Sequence, residues 1–486
     1  MNITYAGNNR AADFVAQDAS FIPKLWKKGV EVSERAENFF EEFEGTSASS
    51  PIRKETDTAK GQGQKIVFRQ MADLYGDGVI GDEAVGDNAE QFRVGTSELE
   101  VDWLRHAVEH TLRTEDQTAL EAELKAGIPT ALGRWLGRKK TERLMMMFNS
   151  KGGSDNYIFS NNRANREALK TADTITKDLI TSAGEQLKTR GARAALVGKS
   201  GQNRLNRFIL VAVGEGLVAL RNSAAYLQAL QYAGIRGADN VIFKGGYVDV
   251  DGHIVREFVP VDHDGYGAIG SAMNPKAVLG VAITAGSSAV DITAGGSATA
   301  AALLKPKYFE FFSNYAYRFT PADILTAGTT ERYCLIYNVT GADAGKVGFY
   351  AFTTNNGNKL TMTKRLGSTT AGDSYTTVGA VVWNTGAFLN KCTDAHPAGS
   401  IVIETNSYGV PFGRSYMLGA DAARRGYGRF TNMRTEEKLD GEFIKRTYIN
   451  SIFGQAPTKR ADGKMPNFLV IEHALAYQGL ALPTIA

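Results

Sequence analysis

Along the middle of the chain, Leu120, Leu124, Ile128, Leu132, Trp135 and Leu136 recur at spacings of three and four. That spacing puts them on one face of a helix, so a helix is predicted over 115–149. Thr114 is a suitable N-cap, with Glu115 and Asp116 in the first turn. Pro129 falls inside the pattern and predicts a kink or two abutting helices. A second stripe, Leu179, Ile180, Ala183 and Leu187, predicts an amphipathic helix over 174–189. The unbroken apolar run RFILVAV at 207–213 reads as a buried strand, 215–231 as helix and 247–258 as strand. Residues 64–70 read as a strand, and 97–112, with Leu99, Val101, Trp103, Val108 and Leu112, as mostly strand. SYMLGADAARRGYG at 415–428 reads as helix, and 441–454 and 467–473 as long closing strands.

The remaining stretches are set by polarity. Residues 1–30 show little periodicity and read as an extended arm. Residues 31–44 hold six Glu and one Arg among Val32, Phe39, Phe40 and Phe43, which suggests a short acidic helix with an aromatic edge. The polar, turn-rich stretch 45–63 reads as a linker. From 285 to 410 charged residues thin out and Thr, Gly, Ala and Ser dominate. Short candidate strands follow at 332–339, 346–354, 359–365, 374–384 and 400–405, the spacing of a β-sandwich or small barrel. The chain thus reads as an α+β unit with an all-β domain inserted in it.

Composition narrows the classes. The 486 residues are 43% hydrophobic and 22% charged, as in ordinary globular chains. Glycine is high at 52 residues and proline low at 12, which excludes a proline-rich low-complexity chain. Lys and Arg number 55 against 52 Asp and Glu, so no basic excess drives binding to nucleic acid. Cys334 and Cys392 cannot build a disulfide framework, and six histidines leave few metal ligands. The N-terminus lacks a basic region followed by an apolar run, and no stretch approaches ~18 apolar residues, so neither a secretory signal nor a membrane span is expected. A reducing cytoplasm is the expected compartment of synthesis, and the sequon at Asn338 is then chance.

Two charge features stand out. Residues 71–90 carry Asp73, Asp77, Asp82, Glu83, Asp87 and Glu90 with no Lys or Arg, and glycines at 76, 78, 81 and 86. So long a polar connection is unusual inside a compact domain and suits an arm that docks elsewhere. The second half of the long helix carries Arg134, Arg138, Lys139, Lys140 and Arg143 against one Glu. Catalytic motifs are weaker. His106-Ala-Val-Glu109-His110 matches an inverted zinc-protease pattern but lies in a strand-like segment with no evident third ligand. Gly198-Lys199-Ser200 lacks the earlier glycine of a phosphate loop, since that position is Arg193. Asp249-Val-Asp251-Gly252 lacks most of a calcium loop and reads as a turn. Asp262-His263-Asp264 reads as a solvated turn, and Cys392 with His396 lacks the second pair that zinc needs. Lys188, Arg190, Arg193, Lys199, Arg204 and Arg207 form a basic run that reads as a solvated or carboxylate-facing surface rather than a phosphate contact.

Whole segments then carry a resemblance. They are GQKIVFRQMADLYGDGVIGDEAVGDNAE, LEVDWLRHAVEHTLRTEDQT, LGRWLGRKKTERLMMMFNS, LQALQYAGIRGADNVIFKGGYVDVDGHIVRE and SYMLGADAARRGYG. Together with the order of elements, they resemble tailed-bacteriophage major capsid proteins of the Hong Kong 97 type, in the branch of short-tailed phages with a large virion RNA polymerase. The resemblance implies an α+β capsid fold with an N-terminal arm over 1–60, an E-loop over 61–100 that lies on a neighbouring subunit, and a peripheral domain over 101–165. Its spine helix would span about 114–149. An axial domain over 166–284, the inserted β-domain over 285–410, a return over 411–440 and peripheral-domain strands over 441–486 complete the implied order. It further implies self-assembly into hexamers and pentamers around double-stranded DNA contacted non-specifically, in a virion capsid assembled in the host bacterial cytoplasm. A separate scaffold protein, a portal at one vertex and a decoration protein would be partners; no cofactor, metal, membrane or catalytic role is implied. Asp77, Asp82, Glu83 and Asp87 are expected to face Arg134, Arg138, Lys139, Lys140 or Arg143 of an adjacent subunit. Two rival functions remain open at this point: a metal-dependent hydrolase built on His106, Glu109 and His110, and a β-domain adhesin built on the insert.

Overall fold

The computed structural model describes residues 33–55 apart from 36, 65–71, 94–111, 121–197, 205–224, 248–259 apart from 251, 272–279 apart from 275, 289–291, 304–305, 331–338, 347–355, 359–365, 397–439 apart from 398, 399, 407 and 408, and 444–475 apart from 461, with isolated positions between 74 and 91. The chain forms two compact units, Met1–Leu144 with Ala423–Lys464, and Met145–Ala422 with Met465–Ala486.

The first unit is built on a five-stranded sheet in the order Glu44–Gly45, Ile52–Glu55, Ala423–Leu439, Ile444–Pro457, Asp102–Thr111. Its two long strands form an antiparallel ladder from Ala423↔Pro457 to Leu439↔Ile444, interrupted by register shifts. Leu104, Tyr427, Ile449 and Phe453 of this sheet pack on Leu132 and Leu136 of the helix Glu121–Lys151, with Ile128 and Trp135 at the margin. Ile128, Leu132, Trp135 and Leu136 of the apolar stripe read from the sequence therefore lie on the face that meets the sheet, while Leu120 and the Leu124 side chain fall outside the described residues. Pro129 lies inside one continuous helical element, and the expected cap at Thr114 falls outside the described residues. A separate two-stranded hairpin, Lys65–Met71 with Val94–Glu100, pairs from Lys65↔Glu100 to Met71↔Val94.

Two readings need correction here. The supposed linker 45–63 contains the strand Ile52–Glu55, which pairs in parallel with the start of Ala423–Leu439 and buries Ile52 completely. The supposed helix 415–428 is instead the strand Phe412–Leu418 and the beginning of Ala423–Leu439, with Asp421 left-handed (φ 50) between them. Its Ala, Leu, Met and Arg favour helix by well under ~1 kcal/mol each. Phe412–Leu418 lies between two other strands with all seven residues buried, and that pairing and burial outweigh the local preference.

The second unit holds a six-stranded mixed sheet in the order Val248–Val250, His253–Phe258, Ile209–Val213, Phe412–Leu418, Phe468–Ala474, Tyr157–Phe159. The helix Lys177–Thr189 lies on it through Leu179, Ile180, Ala183 and Leu187, its first turn capped by the Thr176 hydroxyl accepting from Leu179 N. The helix Gly214–Arg221 is shorter than the 215–231 expected, and residues 225–247 lie outside the described set. The strand expected over 247–258 is a hairpin, turned at Gly252 with φ +80. Strands expected at 332–339, 346–354, 359–365 and 400–405 are present as Glu331–Tyr337, Val347–Asn355, Lys359–Arg365 and Ile401–Thr405. They belong to one seven-stranded sheet that also takes in Lys276–Leu279, from before residue 285; the strand expected at 374–384 lies outside the described residues.

The core of this unit contains charge. Glu472 is fully buried between two guanidiniums: Arg166 donates to both its oxygens at 2.7 and 2.9 Å, and Arg414 at 3.0 Å. Burial pushes the Glu472 carboxyl up, but the two arginines outweigh it and hold it below the usual carboxylate range. Next to it His473, also fully buried, shares a 2.9 Å hydrogen bond with Ser415, and burial pushes its imidazole down to about 4. A histidine held neutral in the folded state stabilises fully above its unfolded pKa, and that stability is lost as pH falls from about 6.5 toward about 4. Urea unfolding of the isolated subunit should therefore show a midpoint that drops over this window. His473→Gln, which keeps a donor and an acceptor for Ser415, should flatten the drop; an unchanged slope in the variant would remove His473 as its source.

Candidate functional site

The charged surface expected to join neighbouring copies is, within the first unit, largely occupied by the chain's own N-terminal acidic segment. Phe39–Phe43 forms a short 3-10 helix that buries Phe40 and Phe43, so the aromatic edge read from the sequence is an anchor. Gly137 makes room for it: a Cβ there would meet Glu37 Cβ at 3.0 Å and the Asn38 backbone nitrogen at 3.1 Å. With the segment seated, Glu37 faces Arg138 at 3.3 Å and Arg134 at 3.9 Å. Lys139 pairs with Glu142 at 2.6 Å along the helix. Glu34 takes the Lys140 ammonium and the Thr431 hydroxyl, and Glu44 takes Arg425. Lys140 also lies over the Tyr427 and Phe453 rings at 4.8 and 5.3 Å.

Lys140 is thus inside rather than on the contact surface expected for it, at 2% exposure, and burial pushes its ammonium below the ordinary lysine range despite Glu34. Arg134 remains 57% exposed and Lys139 39%; Arg143 lies over the Phe453 ring at 5.7 Å. Asp77, Asp82, Glu83 and Asp87 fall outside the described residues. The connection that carries them leaves from the Lys65–Met71/Val94–Glu100 hairpin, on which Val67 and Val94 are about half exposed; Leu74 and Ile80 in the connection are more so.

The other motifs separate under the geometry. His106, Glu109 and His110 lie on the strand Asp102–Thr111, where Glu109 points to the opposite face from the two histidines. His106 stacks on Trp135 at 4.5 Å, and Glu109 accepts from Arg446 Nε at 2.7 Å. No cluster of three metal-ligating side chains occurs among the described residues, and no described helix is long and apolar enough to cross a membrane. Gly252 serves a hairpin turn, as its motif suggested. Lys188 pairs with Glu185, Arg190 ends the helix Lys177–Thr189, and Arg193 and Arg207 are both engaged. Residues 198–200, Arg204, 262–264, Cys392 and His396 fall outside the described residues.

Solved structures similar to this chain include phage capsids. The capsid of Ralstonia phage GP4 matches 91% of this chain and 92% of its own, with a TM-score of 0.51 and 14% identity. The cyanophage Pam1 capsid asymmetric unit matches 90% and 92%, with a TM-score of 0.51 and 12% identity. At such identities the likeness is one of fold, and it is the fold of a shell subunit. In sequence, the major capsid protein of Pseudomonas phage KPP25 is 25% identical over 255 residues, 45% of this chain and 66% of that protein, so the match spans just under two thirds of that relative's length. The model of the family described as phage capsid protein matches residues 14–306. The chain belongs to the phage capsid protein family.

The internal pairing separates structural from surface charge. Glu34→Ala leaves the Lys140 ammonium buried without its carboxylate and should cost about 3–5 kcal/mol. Arg134→Ala removes an exposed cation and should cost less than about 1 kcal/mol. Thermal unfolding of the two variants measures the difference; equal losses would contradict the assignment.

Proposed function

We propose that the chain is the major subunit of an icosahedral phage head, assembling into hexamers and pentamers around packaged double-stranded DNA. Family membership carries this reading, and the exposed apolar positions of the hairpin support it. Val67, Leu74, Ile80 and Val94 stand in solvent on the subunit, and a second copy would bury them. In this reading the subunit has the Hong Kong 97-type plan. Residues 1–60 are the N-terminal arm, 61–100 the E-loop, 101–165 the peripheral domain with its spine helix at about 114–149, and 166–284 the axial domain. The inserted β-domain spans 285–410, the return 411–440, and 441–486 supplies peripheral strands. The strand Ile52–Glu55 ties the end of the arm into the peripheral sheet. A separate scaffold, a portal at one vertex and a decoration protein are the proposed partners, and assembly takes place in the host cytoplasm. The reading assigns the chain no reaction and no cofactor. The hydrolase alternative finds no support in the arrangement of His106, Glu109 and His110, and no observation favours an adhesin.

Between copies, Asp77, Asp82, Glu83 and Asp87 would face the outer cations of the long helix, Arg134, Arg138, Lys139 and Arg143, with Lys140 excluded. Exposed pairs contribute only ~0.2–1 kcal/mol each. They would select register and speed encounter, while apolar burial and multivalency hold the shell. Electron microscopy of the subunit expressed with the phage's scaffold should show closed shells; folded subunit that never closes into particles would refute the proposal. Asp82→Lys with Asp87→Lys should reduce the yield of shells several-fold, and Arg134→Glu with Lys139→Glu should partly restore it. Normal assembly of the acidic variant would dismiss the charge contact while leaving the shell role intact.

A further inference from the structure

The hairpin that carries the acidic connection is seated at its root. Leu99, on the strand Val94–Glu100, is completely buried. Beneath it lie two glycines of the five-stranded sheet, Gly426 and Gly454, which face each other directly across the ladder of Ala423–Leu439 and Ile444–Pro457. Their neighbours Tyr427 and Phe453 pack in the cluster with Leu132 and Leu136 of the long helix. Side chains alternate along a strand, so the glycines open on the face turned away from that helix. A Cβ on Gly426 would meet Ile66 Cδ1 at 2.5 Å and Leu99 Cδ2 at 3.2 Å. A Cβ on Gly454 would meet Leu99 Cδ2 at 2.6 Å and overlap the Glu100 carbonyl oxygen. Neither glycine is among the positive-φ residues. Space, and not backbone conformation, is what excludes a side chain at both positions.

Glycine inside a strand weakens the sheet by roughly 0.5–1 kcal/mol relative to alanine. A facing pair in the two longest strands is therefore a local loss, offset here by the close approach of a second layer. That layer needs support, because a two-stranded ribbon alone is marginal in water. Beyond the root each strand runs about five further residues, about 17 Å at ~3.3 Å per residue, so a tilt of about 10° at the root moves the far end by about 3 Å.

We propose that the Gly426–Gly454 pair is a socket that fixes the angle at which the hairpin leaves the sheet, and so positions its acidic connection for a second copy of the chain. Both glycines are positioning residues for assembly, and the proposal rests on the shell reading above. The two sides of the socket differ in a way that can be tested. Gly426 is crowded by the ends of flexible side chains, so Gly426→Ala should be relieved by Ile66→Val, which removes Cδ1. Gly454 is crowded by backbone, so Gly454→Ala should not be relieved by Leu99→Ala.

The test measures hairpin position and assembly separately on the full chain. Nitroxide labels at Val94→Cys, at the far end of the hairpin strands, and Arg105→Cys, with Cys334 and Cys392 replaced by Ser, report the hairpin-to-sheet distance in unassembled subunits. The parent should give one narrow distance. Gly454→Ala and Gly426→Ala should shift it by several ångströms and lower the yield of scaffold-assisted shells at least tenfold, and Ile66→Val should restore both quantities for Gly426→Ala alone. An unchanged distance in Gly454→Ala overturns the socket whatever assembly does. If Gly454→Ala fails to fold, the Gly426→Ala and Ile66→Val pair decides on the same distance. A shifted distance with undiminished assembly overturns the hairpin's part in assembly and hence the positioning role, a failure distinct from loss of the socket geometry.

Discussion

A charge placed in a protein interior without its partner costs several kcal/mol, and this chain buries several. Glu34 meets Lys140, Glu44 meets Arg425, and Glu472 meets both Arg166 and Arg414. Each pair joins segments separated by more than fifty residues, and Glu44–Arg425 joins the beginning of the chain to its closing strands. None of these groups has a satisfactory place until the distant partner arrives. The interior charges therefore make each unit close as a whole, and they discriminate against partial closures that an apolar core alone would tolerate. In the first unit they bind the acidic N-terminal segment, the long helix and the strand Ala423–Leu439 into one structure. In the second they tie the segment around Arg166 to the adjacent strands Phe412–Leu418 and Phe468–Ala474.

This arrangement suits a subunit that has to be finished before it meets its copies. The net charge of +3 hides a strongly segregated sequence. Within the subunit, the acidic segment neutralises much of the basic helix, so in the proposed shell neighbouring copies are not set against one another by bare cationic surfaces. On the described part of the long helix Arg134 and Lys139 remain partly exposed, as do the apolar Val67 and Val94 of the hairpin. Such a surface favours many weak contacts over one strong one, as a shell requires if misplaced subunits are to leave again. The hairpin then needs a defined direction, and the glycine pair at its root supplies it.

Legibility in the sequence followed the range of the interactions involved. The helix Lys177–Thr189 could be read because Leu179, Ile180, Ala183 and Leu187 mark its buried face within four turns. Ile209–Val213 could be read because a strand buried on both faces is continuously apolar, and Phe468–Ala474 because it opens on the apolar run Phe468–Ile471. Ile52–Glu55 could not, since what makes it a sheet strand is chiefly its parallel pairing with Ala423–Leu439, some 370 residues away, besides the two-residue strand Glu44–Gly45. Phe412–Leu418 reads as helix locally for a related reason: the antiparallel partners that make it a strand, Ile209–Val213 and Phe468–Ala474, come from other parts of the chain. Of the candidate contact residues, the two charge clusters were visible, but the partner of the basic one was misplaced for Lys140. An Arg or Lys on a helix face does not disclose whether the nearest carboxylate belongs to its own chain or to the next.

Local pattern alone thus specified the amphipathic helices, the buried runs, the segregation of charge and, through whole-segment likeness, the capsid family. It could not specify which strands lie side by side, which cations are buried, or why Gly426 and Gly454 carry no side chain. Those are properties of residues brought together from far along the chain. Periodicity reports a residue's own helix or strand, whereas burial, charge pairing and the room for a Cβ depend on atoms that a one-dimensional reading does not place.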